Sequence, residues 1–334
     1  MDKFYFIGID VSKKKLDICV MYGSKVLIEE QVTNSTKGVT QAIKHIKKEL
    51  DITNDMFIIC AEHTGQYTYP LICATKAIDC KLWLENPTQI KYSCGMTRGK
   101  NDKVDARRIA TYAFRFFDKM KCYTRPSEAI IQLNQLQAER SMYVTDLAKY
   151  KAILTDQPDF IPKDIYIQKA KRIKVLMASL QQAISALEKK MNEIISTSEM
   201  LSRQMSLLTS IDGIGRVIAM NMIIATEAFT RFENARQFCC YAGVAPFSYT
   251  SGSSLRSQNR VSLRADKSIK SLLHLAAVAI AHRKDGELKE YFLRKVEEGK
   301  NKMTVINAIR AKLVSRMFSV INLKSAVKFS TTLK

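Results

Sequence analysis

Short apolar runs separated by turn residues open the chain. The runs Phe4–Ile9, Leu16–Tyr22 and Lys25–Thr33 are rich in Val, Ile and aromatic residues, and Lys or Gly turns separate them. Such runs are typical of strands. Three in succession with short connections predict an antiparallel meander.

Helical and strand-like patterns then alternate up to about residue 120. Val39, Ile43, Ile46 and Leu50 recur at helical spacing in residues 35–50. The same reading predicts strands at 57–61 and 81–84, and helices at 69–78 and from about 102 to 116. The order βββαβαβα predicts a mixed sheet that begins antiparallel and continues with parallel strands.

A long helical stretch follows, with no glycine between Gly99 and Gly213. Apolar residues recur every seven positions from Ile173 to Leu208. A second series from Met177 to Met205 is interrupted once, at Ser198, and a weaker heptad precedes both over 133–154. Prolines at 158 and 162 predict a turn between the two helices. The pattern predicts an antiparallel hairpin, a dimerising coiled coil, or both. The length of the repeat favours dimerisation, so we expect a homo-oligomer, either a dimer or a tetramer.

A third, helical part begins near residue 206 with a glycine turn. Gly213 and Gly215 flank Ile214 between two helical patterns, as in a helix-hairpin-helix turn. Such a turn directs backbone N–H groups towards a phosphate. An ordinary interhelical turn is the alternative. The predicted domains are therefore 1–126, 127–205 and 206–325.

Charge adds the first functional information. The 334 residues carry 53 Lys and Arg against 32 Asp and Glu, a net charge of +21. Residues 255–334 hold 18 basic and 6 acidic side chains, which is +12 of that total. A globular protein this basic commonly binds nucleic acid, and a merely solvated cationic surface is the alternative. No apolar run is long enough to span a membrane, and the eight scattered cysteines fit a reducing cytoplasm.

Four carboxylates are candidates for chemistry. Asp10 lies near the end of the first strand, and Glu62 directly follows the strand at 57–61. Asp102 and Asp105 are three residues apart, which on a helix places both on one face. Like charges so placed repel unless a cation bridges them, and Mg²⁺ prefers such oxygen ligands. Taken singly, Asp10 could cap a turn and Asp102 could be a helix N-cap.

The segments that carry these acids resemble a known family. GIDVSKKKLDICV, AEHTGQY and KNDKVDARRIA are similar to the three blocks of the DEDD transposases of the insertion-sequence-one-ten family, to which the Piv-type DNA invertases are related. IDGIGRVIAMNMI, RFENARQFCCYAGVAP and SYTSGSSLRSQNRVSLRADKSIKSLL continue the resemblance in the same order. It implies an α/β plus α fold class: a RuvC-like RNase H domain, a coiled-coil insert and a mainly helical C-terminal transposase domain.

The same resemblance implies site residues. It assigns the metal-binding tetrad to Asp10, Glu62, Asp102 and Asp105, with Mg²⁺ or Mn²⁺ as cofactor. It assigns the nucleophile to Ser251, the serine that precedes Gly252.

Chemistry alone leaves the role of that serine open. Residues 248–254 form a hydroxyl-rich segment in which Gly252 permits a left-handed turn. Bidentate arginine contacts could hold a scissile phosphate there. The arginines that follow the segment are Arg256, Arg260 and Arg264. A flexible polar loop is the alternative, and Tyr249 is a rival nucleophile.

The sequence thus predicts a DNA transposase or recombinase of a mobile element. The resemblance implies DNA as substrate and, in the insertion-sequence branch, a structured guide RNA that pairs with target and donor DNA. A Piv-like invertase is one alternative. A Holliday-junction nuclease that uses only carboxylates and water is another. A non-catalytic nucleic-acid-binding scaffold is the alternative from a different class.

Overall fold

The computed structural model describes residues 4–93, 102–247, 250–251, 255–256, 260–261 and 265–331. At 102–103, 247, 250–251, 255–256, 260 and 323–331 it describes the backbone alone. The chain divides into two compact units, Met1–Arg125 and Pro126–Lys334. The three-domain division at 127 and 206 stays a prediction.

The first unit is a five-stranded mixed sheet with helices on both faces. Its strands are β1 (Tyr5–Val11), β2 (Lys15–Tyr22), β3 (Lys25–Thr33), β4 (Phe57–Glu62) and β5 (Leu82–Glu85). Their spatial order is β3-β2-β1-β4-β5. The first three strands pair antiparallel, whereas β4 is parallel to β1 and β5 is parallel to β4. This is the RNase H arrangement, so the expected fold class is confirmed.

Four helices complete this unit: α1 (Thr36–Leu50), α2 (Tyr69–Ile78), α3 (Pro87–Ser93) and α4 (Asp102–Arg115). The short helix α3 was not predicted. The hydroxyl of Ser35 accepts a hydrogen bond from the Gly38 N–H at 3.0 Å, so Ser35 is the N-cap of α1 and not its first residue.

Strand alternation sorts the core into two layers. Ile7, Ile9 and Ile59 pack on the side of α1 and α2. Phe6 and Ile58, at even positions, pack on the other side with residues of α4. Because side chains of a strand alternate between faces, even-numbered residues of β1 and β4 point towards α4.

The second unit is mainly helical. Its helices are α5 (Glu128–Asp156), α6 (Lys163–Thr197), α7 (Glu199–Thr209), α8 (Arg216–Ala225), α9 (Ala235–Tyr241), α10 (Lys267–Ala281), α11 (Glu287–Glu297) and α12 (Lys302–Thr331). Two short strand pairs lie between α9 and α10. They consist of β6 (Pro246–Phe247) with β9 (Arg260–Val261), and β7 (Thr250–Ser251) with β8 (Leu255–Arg256).

Helices α5 and α6 form an antiparallel hairpin within the chain. Ile130 of α5 and Ile195 of α6 join the same core, and the Tyr166 hydroxyl donates to the Leu154 carbonyl at 2.7 Å near the turn. Between them, Arg140 Nη2 lies 2.7 Å from Glu188 Oε1. The predicted hairpin is therefore present.

The heptad run from Ile173 to Leu208 does not form one continuous helix. Helix α6 ends at Thr197, and Ser198 is both its C-cap and the N-cap of α7, where its hydroxyl accepts from the Leu201 N–H. The physical reason is the serine itself, which satisfies the N–H groups of a new helix instead of continuing the old one. Beyond this break, Leu201 and Leu208 are buried in the main helical core. Among the described residues, no helix combines the length and apolar character that a bilayer crossing requires.

Candidate active site

Sheet register brings Asp10 and Glu62 together. In the parallel pair of β1 and β4, Ile9 stands opposite Ala61, so the next residues, Asp10 and Glu62, are neighbours at the carboxyl ends of adjacent strands. Both have even numbers and therefore lie on the face that α4 covers.

Gly8 lets α4 approach this face closely. A Cβ atom on Gly8 would overlap the Ala106 carbonyl oxygen and the Ala110 nitrogen, and would lie 2.8 Å from the Ala110 Cα. Any side chain at this position would push the helix away from β1. The glycine two residues before Asp10 thus fixes the distance between the strand acids and the acidic helix.

The helix presents the remaining acids. Asp105 lies one residue before Ala106, and its Oδ1 accepts a hydrogen bond from Arg108 Nη1 at 2.7 Å. Asp102 begins α4, as predicted, but its side chain lies outside what the structure describes. The structure thus brings Asp10, Glu62 and Asp105 to one region, with Arg108 beside Asp105.

The carboxylates of Asp10, Glu62 and Asp105 interact electrostatically. Burial first, and then the charges of Asp10 and Asp105, raise the pKa of Glu62 above its usual range. Mutual repulsion of this kind is relieved when a cation binds between the groups. Within the described side chains, no three His, Cys, Asp or Glu residues already converge tightly enough to hold a metal ion. Carboxylate oxygens are nevertheless the ligands that a divalent cation prefers, and the Arg108 contact of Asp105 involves only its Oδ1.

Glu85 is a further acid that sequence reasoning missed. It ends β5 beside Glu62, which it faces in the strand register. Its Oε2 accepts from the Tyr112 hydroxyl at 3.0 Å and from Trp83 Nε1 at 3.2 Å, and its Oε1 accepts from the Asn86 N–H at 2.7 Å. These bonds occupy both oxygens, so Glu85 anchors α4 to the sheet through Tyr112. The sequence did contain a signal for this residue, because Glu85 is the last residue of its strand, as Glu62 is of β4.

The predicted nucleophile lies in the second unit. Ser251 is in β7, and its strand pairs antiparallel with β8, with Ser251 opposite Leu255. Arg256 lies in β8 and Arg260 in β9, and only the backbone of these residues is described. Tyr249, Gly252 and Arg264 lie outside the described residues.

Both ends of this strand segment are fixed to helices. Before it, the Asn307 amide of α12 donates to the Val244 carbonyl at 2.8 Å. After it, Asp266 accepts from the Ser268 and Ile269 N–H groups and caps α10, while its Oδ2 accepts from the Tyr241 hydroxyl at 2.9 Å. An acid in this basic stretch therefore has a structural role.

The glycine turn lies between α7 and α8, and its proposed contact with phosphate stays a prediction. Gly213 has φ of +83°, where a side chain would be strained, and a Cβ there would overlap Ile280. Gly215 is the N-cap of α8 and offers its first turn no side-chain cap. An open concavity of about 400 Å³ is lined by residues 209–215 and Arg283. Asp212 at its edge is ion-paired with Arg283, so one acid lies beside the surface predicted to meet phosphate.

Two family models match the chain. A family model described as "Transposase", for DEDD transposases of the IS110 group, matches residues 7–157. A second, described as "Transposase IS116/IS110/IS902 family", matches residues 205–293. In both stretches the chain is similar to the IS110 family of DEDD transposases. The first match contains Asp10, Glu62, Asp102 and Asp105, and the second contains Ser251 and the glycine turn.

Two relatives match this chain almost end to end. The pilin gene-inverting proteins of Moraxella bovis and Moraxella lacunata are each 26% identical over 324 residues, covering 96% of both chains. Among solved structures, two of Thermus thermophilus RuvC are similar, one of them in complex with a Holliday junction substrate. The TM-scores are 0.28 and 0.29 at 14% and 13% identity, over 36% of this chain and 99% and 100% of those chains.

Proposed function

We propose that this DNA transposase cleaves and rejoins DNA strands in the cytoplasm by metal-dependent transesterification. Asp10, Glu62, Asp102 and Asp105 would hold Mg²⁺ or Mn²⁺, and Ser251 would attack the DNA. The observation that carries the proposal is geometric: the register of β1 with β4 makes Asp10 and Glu62 neighbours, and the close approach of α4 at Gly8 brings Asp105 near them. The charges of Asp10 and Asp105 add to burial in raising the pKa of Glu62. Three carboxylates from two strands and a helix are kept close enough to repel.

The bound cation would supply charge neutralisation at the scissile phosphate. Other residues of the chain hold the acids in position for this cation. Gly8 permits the close approach of α4, Tyr112 holds that helix to Glu85, and Arg108 neutralises Asp105 when no cation is bound. The acids are thus positioned before the substrate arrives.

The covalent step assigned to Ser251 is a transesterification. A bond forms between the serine Oγ and the phosphorus, and the bond from phosphorus to one deoxyribose oxygen breaks. The leaving oxygen takes up a proton and the serine hydroxyl loses one, so the products are a phosphoserine ester and a free DNA hydroxyl. Attack by a hydroxyl of another strand reverses the step and joins new ends.

The proposed partners follow from charge and from the family. The net charge of +12 over residues 255–334 supports binding to DNA phosphates, to which Gly213, Gly215, Arg256, Arg260 and Arg264 would contribute. A structured guide RNA is proposed from the family resemblance, and a homo-oligomer from the heptads. DNA inversion is the second candidate, because the Moraxella relatives that match over 96% of their length are named for gene inversion.

A plasmid that carries the DNA flanking the gene tests the proposal. Wild-type protein with Mg²⁺ and the RNA transcribed from that DNA should give a protein–DNA adduct on a denaturing gel. Ser251→Ala should abolish the adduct, whereas Ser253→Ala, a matched hydroxyl loss in the same segment, should retain it. Omitting the RNA, or comparing excised with inverted products, separates guided transposition from inversion.

Three results would contradict parts of the proposal. Cleavage by Ser251→Ala without an adduct would indicate a hydrolytic nuclease. Loss of the adduct in Tyr249→Phe alone would make tyrosine the nucleophile. Binding without cleavage under any metal condition would indicate a scaffold.

A further inference from the structure

The helical unit contains a buried arginine to which the described residues supply no acidic partner. Arg310 on α12 is only 7% exposed. Its Nη2 donates to His274 Nδ1 on α10 at 2.5 Å, and its Nη1 has a long contact of 3.5 Å to Asn307 Oδ1. Its Nε has no hydrogen-bond partner. Within the described part of the chain, Arg310 forms no ion pair with a carboxylate.

Such an arrangement is costly when nothing else is bound. A guanidinium keeps its charge in proteins, and a buried charge without a counter-charge is strongly unfavourable. The two groups that Arg310 contacts, an imidazole and an amide, are both neutral. Burial alone lowers the pKa of Arg310. The arginine therefore lacks an anion.

The neighbours of Arg310 connect it to the surface and to the nucleophile segment. His274 and Asn307 are half-buried, so the cluster reaches solvent through them. The Asn307 amide holds the Val244 carbonyl at 2.8 Å, two residues before β6. The cluster thus lies against the base of the segment that carries Ser251.

His274 provides a second donor. An arginine can only donate hydrogen bonds, so the Nδ1 that receives one carries no proton. The neutral ring then has its proton on Nε2, which is free to donate to an oxygen. A buried guanidinium and an imidazole N–H next to each other suit an anion with several oxygens.

We propose that Arg310 and His274 form a binding site for a backbone phosphate of nucleic acid at the base of the Ser251 segment. The basic character of residues 255–334 would bring such a phosphate to this surface. The inference rests on the proposed function only in taking nucleic acid as the ligand, and it does not require Ser251 to be the nucleophile.

The test compares Arg310→Met with Arg316→Met. Both substitutions remove one positive charge from α12. Unlike Arg310, however, Arg316 has an acidic partner, with its Nη2 lying 2.6 Å from Glu287 Oε2. Binding of a 30-base-pair DNA duplex would be titrated over a range of salt concentrations, and melting temperatures would be measured without DNA. Arg310→Met should melt at or above the wild-type temperature, because an uncompensated buried charge is removed.

For Arg310→Met, affinity should fall about tenfold, and the slope of log K against log salt should shrink by about 1. Arg316→Met should leave the slope unchanged. Arg310→Lys, which keeps the charge, provides the second variant if Arg310→Met does not fold. It should lose affinity without losing stability, because lysine cannot reproduce the bidentate geometry.

A lower melting temperature for Arg310→Met with an unchanged salt slope would make the arginine structural and overturn the site. Unchanged affinity in Arg310→Lys, together with failure of Arg310→Met to fold, would overturn it as well. The same titration with a single-stranded 30-base RNA tells whether the phosphate belongs to DNA or RNA. Ser251→Ala should bind like wild type, so failure of the serine mechanism would be recognised separately.

Discussion

At the end of β1, a residue without a side chain and a residue with a charge stand two positions apart on the same face. Gly8 admits the backbone of α4, and Asp10 then meets Glu62 and the acidic face of that helix. Neither residue is sufficient alone. A larger residue at position 8 would separate the acids, and a neutral residue at position 10 would remove the repulsion that favours a cation.

Asp10→Asn should abolish strand cleavage while leaving nucleic-acid affinity within about twofold, because one charge matters little in a chain of +21. Without metal, the variant should melt roughly 1–3 °C higher, since the repulsion on Glu62 is reduced. Differential scanning fluorimetry in EDTA and in Mg²⁺ measures both effects, with Mg²⁺ stabilising wild type only. Asp118→Asn, an exposed acid in the same unit, should behave like wild type in every assay. Full cleavage by Asp10→Asn would remove the metal argument.

Asp266 should make the helical unit sensitive to acid. Burial works against its charge, but hydrogen bonds from Ser268, Ile269 and Tyr241 hold its pKa below the ordinary 3.8. A depressed folded-state pKa contributes stability that is present above about pH 3.8 and is lost as pH falls through the folded value.

Asp266→Asn keeps a capping oxygen, so at pH 7 it should cost about 1 kcal/mol or less. Its urea midpoint should then fall less than that of wild type between pH 5 and pH 3. Asp285→Asn, an exposed acid beyond α10, is the matched control. Equal acid sensitivity in Asp266→Asn and wild type would contradict this role.

Among secondary-structure elements, α4 contacts the sheet near both of its ends. Near its start, Ala106 and Ala110 lie against Gly8. Near its end, the Tyr112 hydroxyl donates to Glu85. Because these contacts keep α4 from sliding along the sheet, they also fix the position of its acidic first turn. The hydrogen bond from Tyr112 to Glu85 therefore affects where Asp105 lies.

Tyr112→Phe should remain folded, because one hydrogen bond is worth about 0.5–1.5 kcal/mol. It should need several-fold more Mg²⁺ for half-maximal cleavage, with a smaller change at saturating Mg²⁺. Tyr143→Phe removes a similar tyrosine–carboxylate bond, to Glu139 on the exposed face of α5, and should not alter the Mg²⁺ requirement. An unchanged Mg²⁺ midpoint in Tyr112→Phe would show that the contact does not position the acids.

At the scale of the whole molecule, the question is how the two units and their copies cooperate. The candidate metal ligands lie in Met1–Arg125, and Ser251 lies in Pro126–Lys334. The proposed mechanism therefore needs residues of both units, supplied by one chain or by two. The hairpin of α5 and α6 separates these regions along the sequence.

Glutamates at Leu180 and Leu187 should dissociate the proposed homo-oligomer, since both lie on the heptad seam of α6 and buried unpaired charges are costly. Light scattering in the presence of nucleic acid measures the change, and far-UV circular dichroism checks that the helices survive. Val175→Glu, at a position 70% exposed and off the seam, should leave assembly intact. A wild-type monomer under these conditions would contradict the prediction.

Mixing two inactive variants tests whether the site is shared between subunits. Asp105→Asn and Ser251→Ala should each be inactive alone. Their mixture should recover part of the activity if Ser251 of one subunit acts with the acids of another. No recovery, although mixed oligomers form, would place the whole site within one chain.

Local sequence patterns were enough to predict the secondary-structure elements and to identify side chains that could bind a metal ion or act as a nucleophile. The strand runs gave the order βββαβαβα, because alternation and helical spacing are local properties. The sequence also placed acids at the ends of the first and fourth strands and at the start of α4. It did not find the helix break at Ser198, because a heptad pattern continues through a serine that the chain uses as a cap.

Only the tertiary structure decided which of these residues meet. The register of β1 with β4 makes Asp10 and Glu62 neighbours, and the close approach at Gly8 sets how near α4 comes. Glu85 anchors α4 only because the fold brings it to Tyr112, which lies 27 residues away in the sequence. Arg310 is unusual only because folding buries it where α12 packs on α10. These contacts join segments that are distant in the sequence. The local pattern of apolar and polar residues does not indicate which distant segments lie close together in the fold.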